Sequence, residues 1–283
     1  METQIIDGRG IRDKILEKIK EEVSGLSFRP KFCDVVVGSD PASLQYVRMK
    51  NKTAEMLGIE AVPAMLREDA TTDEVVAKIE ELNKIEGMAG IIVQLPLPSH
   101  IDKERVLSAI SLELDVDCIN PKNSADFYAG GDTFIFPTAR AVFAVLFEAG
   151  VEIPGKKFAI VGRGELVGRP VLYLLTKNGA LVDVIDRSTE NVDEIIKSAE
   201  VIISASGKRG IVTSENISEG VVIVDAGASD ADGSVVGDID LESVIGISSA
   251  ISPVPGGVGP VTVAMLFDNV LLSAKKKMEN KSQ

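Results

Sequence analysis

The chain has 283 residues, 45% of them hydrophobic and 26% charged, and a formal net charge of −13. This length is comfortable for two domains, and the composition is typical of a soluble globular protein with a substantial core. The negative charge argues against a nucleic-acid-binding protein, because such proteins usually present a basic face.

Targeting and metal-binding signals are weak throughout the sequence. The first residues, Met1 to Gln4, lack the basic and apolar segments of a secretion signal, and no uninterrupted apolar run approaches the roughly 18 residues of a membrane span. Cys33 and Cys118 lie far apart, so we expect two reduced thiols in a cytoplasmic protein. The one histidine, His100, is predicted to be a structural loop residue, and we expect no metal site.

Helical and buried-strand patterns alternate in the first half of the chain. Apolar spacing predicts a helix over 8–26, a strand at 35–37 and a second helix from Pro41 to Leu57. A third helix follows Thr72, and 90–95 reads as a buried strand. The order is typical of an α/β domain.

The second half begins after an irregular segment, 115–138, that we predict to be a long connection. A helix is expected from Thr138 to about Gly150 and a last one from Thr262 towards Lys275. Between them lie four short apolar strands and a glycine-rich turn, in the order of a dinucleotide-binding sheet. The strands are predicted at 157–161, 181–185, 201–205 and 221–225, and the helix after the turn at 170–177.

These patterns predict an α/β protein made of two α/β domains. The first domain is assigned to 1–138 and is completed by the C-terminal helix, 262–283. The second, 139–261, is predicted to be a Rossmann-type dinucleotide-binding domain.

The glycine-rich turn carries the nucleotide hypothesis. Gly162, Gly164 and Gly168 follow a strand and precede a helix. Glycine lets a phosphate approach the backbone, and the helix N-terminus offers free N–H groups. The nucleotide itself stays open at this point, because Asp186 favours NAD by binding the ribose, whereas Arg163, Arg187 and Ser188 favour the 2′-phosphate of NADP.

The first domain contains four candidates for chemistry. Tyr46 and Lys50 share one helix face, so that the tyrosine can stack on an aromatic ligand while the lysine acts as an acid or base. Gln94 interrupts an apolar strand, and Asp117 lies in an acidic loop. Three of them also have an ordinary explanation: Lys50 as a solvated surface lysine, Gln94 as a structural amide and Asp117 as a turn carboxylate.

Ordered motifs over nearly the whole chain resemble the bifunctional methylenetetrahydrofolate dehydrogenase/methenyltetrahydrofolate cyclohydrolase family. The most specific is the ten-residue string from Pro253 to Thr262. The others are Val37-Gly38 with Asp40 to Ser43, Tyr46-Val47 and Lys50; Gly90 to Pro98; Asp115-Val116-Asp117; Gly155-Lys156; and Val161-Gly162-Arg163 with Val167 to Pro170.

The resemblance implies a cleft between the two domains and, in that cleft, two reactions of one-carbon metabolism that supply purine biosynthesis. A hydride passes from the methylene carbon of methylenetetrahydrofolate to the nicotinamide, and water then opens the methenyl product to 10-formyltetrahydrofolate. It also implies NADP as the cofactor and a homodimer formed through the nucleotide domain. A folate substrate, with no nucleic acid or membrane partner, completes this expectation.

The resemblance further implies roles for individual residues. Lys50 is the acid or base of hydrolysis, Gln94 positions it, Tyr46 stacks on the aminobenzoate ring and Asp117 holds the pterin amino group. The folate would also contact Pro255, Gly256 and Gly257. The dinucleotide would contact Gly162, Arg163, Gly164, Gly168, Arg187, Ser188, Ala205, Gly207 and Thr262.

Several positions depart from the family pattern. Cys118 stands where glycine is usual, Gly164 where serine is usual, and Asp186 where histidine is usual. The 124–126 loop lacks a glycine, and 136–141 keeps only the threonine of the usual motif. Two alternatives therefore stay open: a monofunctional NAD-dependent dehydrogenase of this family, and a folate- or nucleotide-binding protein without turnover.

Overall fold

Two compact units of parallel strands and helices make up the computed structural model, which describes residues 2–231 and 234–281. The six-stranded unit comprises 1–13 and 138–262, and the three-stranded unit comprises 14–137 and 263–283. In chain order the elements are β1 (Gln4–Ile5), α1 (Gly8–Ser24), β2 (Lys31–Val37), α2 (Pro41–Met56), β3 (Glu60–Leu66), α3 (Thr72–Asn83), β4 (Met88–Val93), α4 (Lys103–Ser108), α5 (Pro121–Tyr128), α6 (Pro137–Glu148), β5 (Lys157–Val161), α7 (Gly168–Lys177), β6 (Leu181–Ile185), α8 (Val192–Ser198), β7 (Val201–Ser204), β8 (Val222–Asp225), β9 (Ser229–Ala231), β10 (Ser234–Val236), α9 (Leu241–Val244), β11 (Ala250–Ser252) and α10 (Val258–Lys281).

The three-stranded unit has a parallel sheet in the order β3-β2-β4. Its helices begin at capping residues that the sequence provides. Asp40 accepts a hydrogen bond from the Ser43 N–H at the start of α2, and Thr71 and Glu74 form a capping box at α3. Because β2 is the middle strand, both of its edges are hydrogen-bonded, and its five central residues, which alternate between the two faces of the sheet, are all buried.

The six-stranded unit has a parallel sheet in the order β1-β11-β8-β7-β5-β6. Strand β5 lies between β6 and β7. The chain passes from β5 to β6 on one side and then crosses to β7 on the other side, so the strand order reverses at β5. In doubly wound sheets a ligand binds beyond the carboxyl ends of the strands at such a reversal. The expected Rossmann-type arrangement is therefore present, and β9 and β10 add a small antiparallel hairpin.

The position of the N-terminus corrects the predicted division of the chain. The sequence predicts residues 1–13 in the first domain, yet they belong to the six-stranded unit. Gln4 and Ile5 pair with Ala250 and Ile251 of β11, and Ile6 is buried. A strand of two residues has no periodicity that marks its partner, so sequence patterns could not place it.

Other elements differ from the sequence prediction. The predicted long connection contains α5, which begins at the capping residue Asn120 and buries Phe127. The sequence also misses β3, and the last helix begins at Val258, four residues before the predicted start. The predicted C-terminal segment runs to 283, and residues 282 and 283 lie outside the described residues.

Helix α10 combines unusual length with an apolar sequence. Its segment Val258–Asn280 is long and apolar enough to cross a membrane, but 61% of its most apolar window is buried inside the protein, as in a core helix. Within the three-stranded unit the Phe267 ring lies 5.2 Å from that of Phe32. The Asn269 amide donates to the carbonyls of Val116 and Ile135 at 2.8 and 3.0 Å, which ties the helix to the segment after β4.

Candidate functional site

Two polar side chains, those of Gln94 and Asp34, contact the amine of Lys50. Lys50 lies on α2, and its Nζ donates to Oε1 of Gln94 at 2.9 Å. The same Nζ lies 2.5 Å from Oδ2 of Asp34, which projects from β2. Gln94 follows β4 directly, and β4 pairs with β2. Adjacent parallel strands and the helix after the first of them thus bring lysine, amide and carboxylate together.

Asp34 is a member of this cluster that sequence reasoning misses. Its carboxylate is almost fully buried, and among the described residues neither oxygen accepts a hydrogen bond of good geometry. Burial raises the pKa of Asp34 above its ordinary value, and the charge of Lys50 opposes that rise. The available signal is an aspartate inside the buried strand Phe32–Val37, where a charge needs a partner.

Asp115 shapes the loop that carries Asp117. Its buried carboxylate accepts the N–H groups of Ile119 and Asn120 at 3.1 and 2.9 Å, and the Asn123 amide at 2.9 Å. These bonds close the segment 115–120 into a tight turn. Asp117 lies within that turn, so its position depends on Asp115.

Asp117 is partly buried and close enough to Lys50, Asp34 and Asp115 to respond to their charges. The pKa of Asp117 is raised to about 6, and burial is the main cause. The charge of Lys50 opposes this rise, and the charges of Asp115 and Asp34 add to it. The next residue, Cys118, has a φ of 61°. Glycine adopts this left-handed conformation most easily, so the usual glycine of the family has a conformational reason here.

Tyr46 and His100 are two further residues that the sequence analysis considered. Tyr46 lies on α2, one turn before Lys50, and its side chain is exposed, which leaves the ring available to a ligand. His100 has its Nε2 2.9 Å from the carbonyl of Ala70, in keeping with the predicted structural role.

In the six-stranded unit the glycine turn follows β5 and leads into α7. Gly162 has a φ of 104°, and a Cβ there would lie 2.5 Å from the Ala205 carbonyl oxygen. A Cβ at Gly168 would lie 2.1 Å from the Gly162 carbonyl, whereas Gly164 has open space. The turn is therefore packed against the end of β7 while presenting a free backbone surface near α7, which fits a phosphate group.

The segment after β7 is held by a second buried carboxylate. Asp238 accepts hydrogen bonds from the Ser204 and Ser206 hydroxyls and from the N–H groups of Ser206 and Gly207, at 2.7 to 3.2 Å. Ala205 and Gly207, both predicted to contact the dinucleotide, lie in this segment. Sequence reasoning misses Asp238, which the Gly-Asp pair at 237–238 marks only weakly.

Asp225, at the end of β8, holds the neighbouring turn in the same way. It accepts the N–H groups of Gly227, Asp238 and Ile239 at 2.9 to 3.3 Å. Burial raises the pKa of Asp225 to about 6, and these three hydrogen bonds oppose the rise. The ends of β7 and β8 are thus fixed by two buried aspartates.

The turn after β6 places the residues that bear on the choice of nucleotide. Oδ1 of Asp186 accepts the N–H of Ser188 at 2.9 Å and its hydroxyl at 2.6 Å. These bonds keep the pKa of Asp186 below its ordinary value, and the charge of Arg163 contributes to the same effect. Arg163 and Arg187 are both exposed. Asp186 and Arg187 therefore lie at the end of β6, and Arg163, in the glycine turn after β5, is close enough for its charge to act on Asp186.

The Pro/Gly segment follows β11 in the six-stranded unit. It contains Pro255, Gly256 and Gly257, and its Val254–Pro255 peptide bond is cis. A Cβ on Gly257 would lie 2.5 Å from the Pro253 carbonyl, so this segment is closely packed. Thr262 lies in the first turns of α10, where its hydroxyl donates to the Val258 carbonyl.

Metal ligands are not grouped in the described residues: no cluster of three or more His, Cys, Asp and Glu side chains there has the arrangement of a metal site. Cys33 and Cys118 are free, buried thiols. Burial raises the pKa of Cys33 to about 12.

Two family models match consecutive parts of the chain. Residues 6–117 match the catalytic domain of tetrahydrofolate dehydrogenase/cyclohydrolase, and residues 137–278 match its NAD(P)-binding domain. The chain belongs to the tetrahydrofolate dehydrogenase/cyclohydrolase family. The protein is an enzyme of this family, and the resemblance inferred from its motifs is confirmed.

Individual members of the family are similar over the full length. The bifunctional protein FolD of Acetivibrio thermocellus is 38% identical over 99% of this chain and all of the relative. The solved structure of FolD from Campylobacter jejuni is 37% identical, with a TM-score of 0.93 over 97% of this chain and 99% of that one. FolD from Trypanosoma brucei, solved with NADP and an inhibitor, is 35% identical, with a TM-score of 0.93 over 98% and 99% of the two chains.

The glycine turn gives a test with a matched control. We expect Gly168→Ala to weaken dinucleotide binding by at least about tenfold, because the new Cβ would overlap the Gly162 carbonyl and displace the turn. Gly25→Ala should bind as the wild type does, since Gly25 is not among the proposed dinucleotide contacts and its Cβ would make only an ordinary contact, 3.5 Å from the Glu22 carbonyl oxygen. Fluorescence titration with reduced dinucleotide measures both affinities. Equal losses in the two variants would contradict the assigned packing of the turn.

Proposed function

We propose that this enzyme oxidises 5,10-methylenetetrahydrofolate to methenyltetrahydrofolate with NADP and hydrolyses the product to 10-formyltetrahydrofolate. The observation that carries the proposal is the contact between Lys50 and Gln94 in the catalytic domain, in a chain that also has the glycine turn of an NAD(P)-binding domain. A hydride acceptor and a base are the two groups that these reactions need.

Lys50 is the proposed acid or base of the hydrolytic step. The bond to Gln94 and the ion pair with Asp34 hold its amine in one place, so it can be aimed at the water that attacks the methenyl carbon. Gln94 also donates through Nε2 to the Leu95 carbonyl at 3.0 Å, which fixes the direction of its oxygen. Gln94 is thus the proposed positioner of Lys50.

Tyr46 and Asp117 of the three-stranded unit are proposed folate contacts. Tyr46 would stack on the aminobenzoate ring, since its exposed ring lies one helical turn from Lys50. Asp117 would accept a hydrogen bond from the pterin amino group. Pro255, Gly256 and Gly257 complete the proposed folate contacts, and their support is the resemblance of the Pro253–Thr262 string.

NADP is the proposed dinucleotide, with Arg163 and Arg187 as partners of its 2′-phosphate. Bound at the glycine turn, its nicotinamide would accept the hydride. Both guanidinium groups are exposed, Arg163 in the glycine turn after β5 and Arg187 in the turn after β6, and the carboxylate of Asp186 is engaged by Ser188. Gly162, Gly164, Gly168, Ser188, Ala205, Gly207 and Thr262 are the remaining proposed contacts. NADP in the T. brucei relative supports this choice.

The proposed domain roles are supported by the family models, which match 6–117 and 137–278. The folate-binding catalytic domain is assigned to 1–138 with the C-terminal helix, apart from the N-terminal residues that join the six-stranded sheet. The NADP-binding domain is assigned to 139–261. We extend the proposal to a cytoplasmic homodimer that serves purine biosynthesis, on the strength of the family resemblance.

A monofunctional NAD-dependent dehydrogenase is the second candidate, and Asp186 at the end of β6 is the observation that favours it. A carboxylate there would accept the ribose hydroxyls of NAD and repel a 2′-phosphate. A binding protein without turnover is disfavoured, because a carrier has no need of the polar cluster around Lys50.

Lys50→Met tests the two activities together. With methylenetetrahydrofolate and NADP, we expect the variant to reduce cofactor and accumulate methenyl product, because the base of hydrolysis is gone while the hydride step remains. Absorbance of the methenyl and reduced-cofactor chromophores measures both. The control is Lys52→Met, which removes an exposed lysine from the same helix and should behave as the wild type. Normal hydrolysis in Lys50→Met would refute the role of Lys50.

Arg187→Ala tests the cofactor. We expect kcat/KM for NADP to fall at least about tenfold, since a charged contact to the phosphate is lost, while kcat/KM for NAD changes little. NAD serves as the internal control because it lacks the phosphate. A wild type that reduces NAD alone would favour the second candidate, with Asp186 deciding the nucleotide.

Asp117 gives a prediction for pH. With its pKa at about 6, the carboxylate is ionised at neutral pH and becomes protonated as the pH falls through that value. We expect the KM for the folate to rise between about pH 7.5 and about pH 5.5, because the protonated group is a poorer acceptor. Asp117→Asn should show a high KM with little change over the same range. The idea fails if the variant keeps the wild-type pH dependence.

A further inference from the structure

A lysine that is already paired with a carboxylate needs a way to accept a proton. Nζ of Lys50 lies 2.5 Å from Asp34 and 2.9 Å from the oxygen of Gln94. An ammonium ion donates to Gln94 and forms an ion pair with Asp34, but it has no lone pair with which to act as a base. If Lys50 takes a proton from water in the hydrolytic step, one of its own protons must have somewhere to go.

Gln94 cannot be that destination. A carboxamide oxygen accepts hydrogen bonds but is not basic enough to take a proton near neutral pH, and the amide nitrogen donates to the Leu95 carbonyl. The carboxylate of Asp34 is the other group in contact with Nζ.

Asp34 can also accept a proton without giving up hydrogen bonds to the backbone of the described residues. Other buried aspartates, such as Asp115 and Asp225, direct their oxygens at backbone N–H groups. Asp34 has no such bonds among the described residues, although it is 3% exposed and lies in the middle strand of its sheet. An ionised carboxylate in that setting is costly unless its charge is used or compensated. Its position beside the amine is thus the only role that its contacts support.

We propose that Asp34 acts through Lys50 in hydrolysis by taking a proton from Nζ while Nζ takes one from the attacking water. This inference rests on the proposed function of the enzyme. It assigns Asp34 as a residue that sets the position and the proton content of Lys50, a role distinct from that of Gln94.

The proton balance of the step is simple. The water oxygen forms a bond to the methenyl carbon, its O–H bond breaks, and the proton passes to Nζ as an Nζ–H bond breaks towards Oδ2 of Asp34. The lysine–aspartate pair has then gained one proton. When the ring opens, the bond between that carbon and one folate nitrogen breaks, the nitrogen keeps the electron pair, and it receives the proton back through Lys50. The remaining O–H bond of the adduct breaks as the formyl C=O bond forms, and its proton leaves to solvent water. One proton is thus released overall, because the methenyl group is a cation and the formyl product is not. Nothing is oxidised or reduced.

The charged groups around the pair agree with this role. Lys50 faces Asp34 from α2, Asp117 and Asp115 approach from the segment after β4, and Cys33 precedes Asp34 on β2. Burial raises the pKa of the Asp34 carboxyl, which makes it a better proton acceptor than an exposed aspartate. The lysine charge lowers that pKa, so the carboxyl can return the proton once the step is complete.

Asp34→Asn and Asp34→Val test the proposal, and Cys33→Ala is the control for disturbance of the strand. Hydrolysis is measured with methenyltetrahydrofolate alone, and dehydrogenation is measured separately with methylenetetrahydrofolate and NADP. We expect kcat for hydrolysis to fall at least about tenfold in both Asp34 variants, in line with the usual size of proton-transfer contributions. The KM for methenyltetrahydrofolate and the rate of dehydrogenation should change less than about threefold, because the folate contacts remain.

The pH profile separates this role from a structural one. The wild-type rate of hydrolysis should decline on the acid side as the lysine–aspartate pair becomes fully protonated, and both Asp34 variants should lack or shift that limb. Cys33→Ala should keep both the rate and the limb. Equal losses in the two reactions, or an unchanged acid limb, would mean that Asp34 only supports the strand and would overturn the proposal.

A measurement on the wild type covers the case in which the variants do not fold. Hydrolysis rates in mixtures of light and heavy water should give a curved proton inventory, because two protons move in the same step. A straight line, meaning one proton in flight, would overturn the relay. If the wild type does not hydrolyse methenyltetrahydrofolate at all, the proposed function fails; normal hydrolysis in the two Asp34 variants would instead refute only the role of Asp34.

Discussion

Carboxylates buried at the ends of strands hold the loops on which the proposed site depends. Asp115 accepts backbone N–H groups of the loop that contains Asp117, and Asp238 accepts those of the segment that contains Ala205 and Gly207. Asp225 fixes the neighbouring turn after β8. A loop buried without such acceptors would leave N–H groups with neither water nor a partner, at a cost of about 1–3 kcal/mol each. The carboxylates therefore give irregular segments one defined shape.

The buried charge of Asp34 also needs a partner, but that partner is a side chain and not the backbone. Its carboxylate is buried in a regular strand, where the backbone N–H groups already belong to the sheet, so a side chain must supply the compensation. Lys50 supplies it, and the amine is held in turn by Gln94. In the loops the buried charge determines backbone shape. Beside Lys50 it determines where an amine is held and how many protons that amine carries, which connects the packing of the sheet to the proposed hydrolytic chemistry.

The glycine turn after β5 shows how close packing of the backbone excludes side chains at particular positions. At Gly162 and Gly168 a Cβ would overlap carbonyl oxygens, whereas Gly164 has open space around it. Cys118 shows the reverse case, a side chain accepted at a φ of 61° where glycine is easier. Its buried thiol lies against the Phe134 carbonyl, so burial of the side chain accompanies the strained backbone.

The sequence by itself determined the α/β class, most of the helices and the glycine turn, because periodicity and local motifs encode these features within a few residues of one another. It also marked Lys50 and Gln94 as candidates, but their pairing followed from the family resemblance. The family followed from motifs that keep their order along the chain. Tertiary structure alone decided that residues 4–5 join the sheet beside β11, that Asp34 is the counter-charge of Lys50, and that Asp238 holds the segment after β7. These contacts join residues far apart in sequence, and whether an aspartate meets water, an N–H group or a lysine depends on which strands become neighbours in the folded sheet.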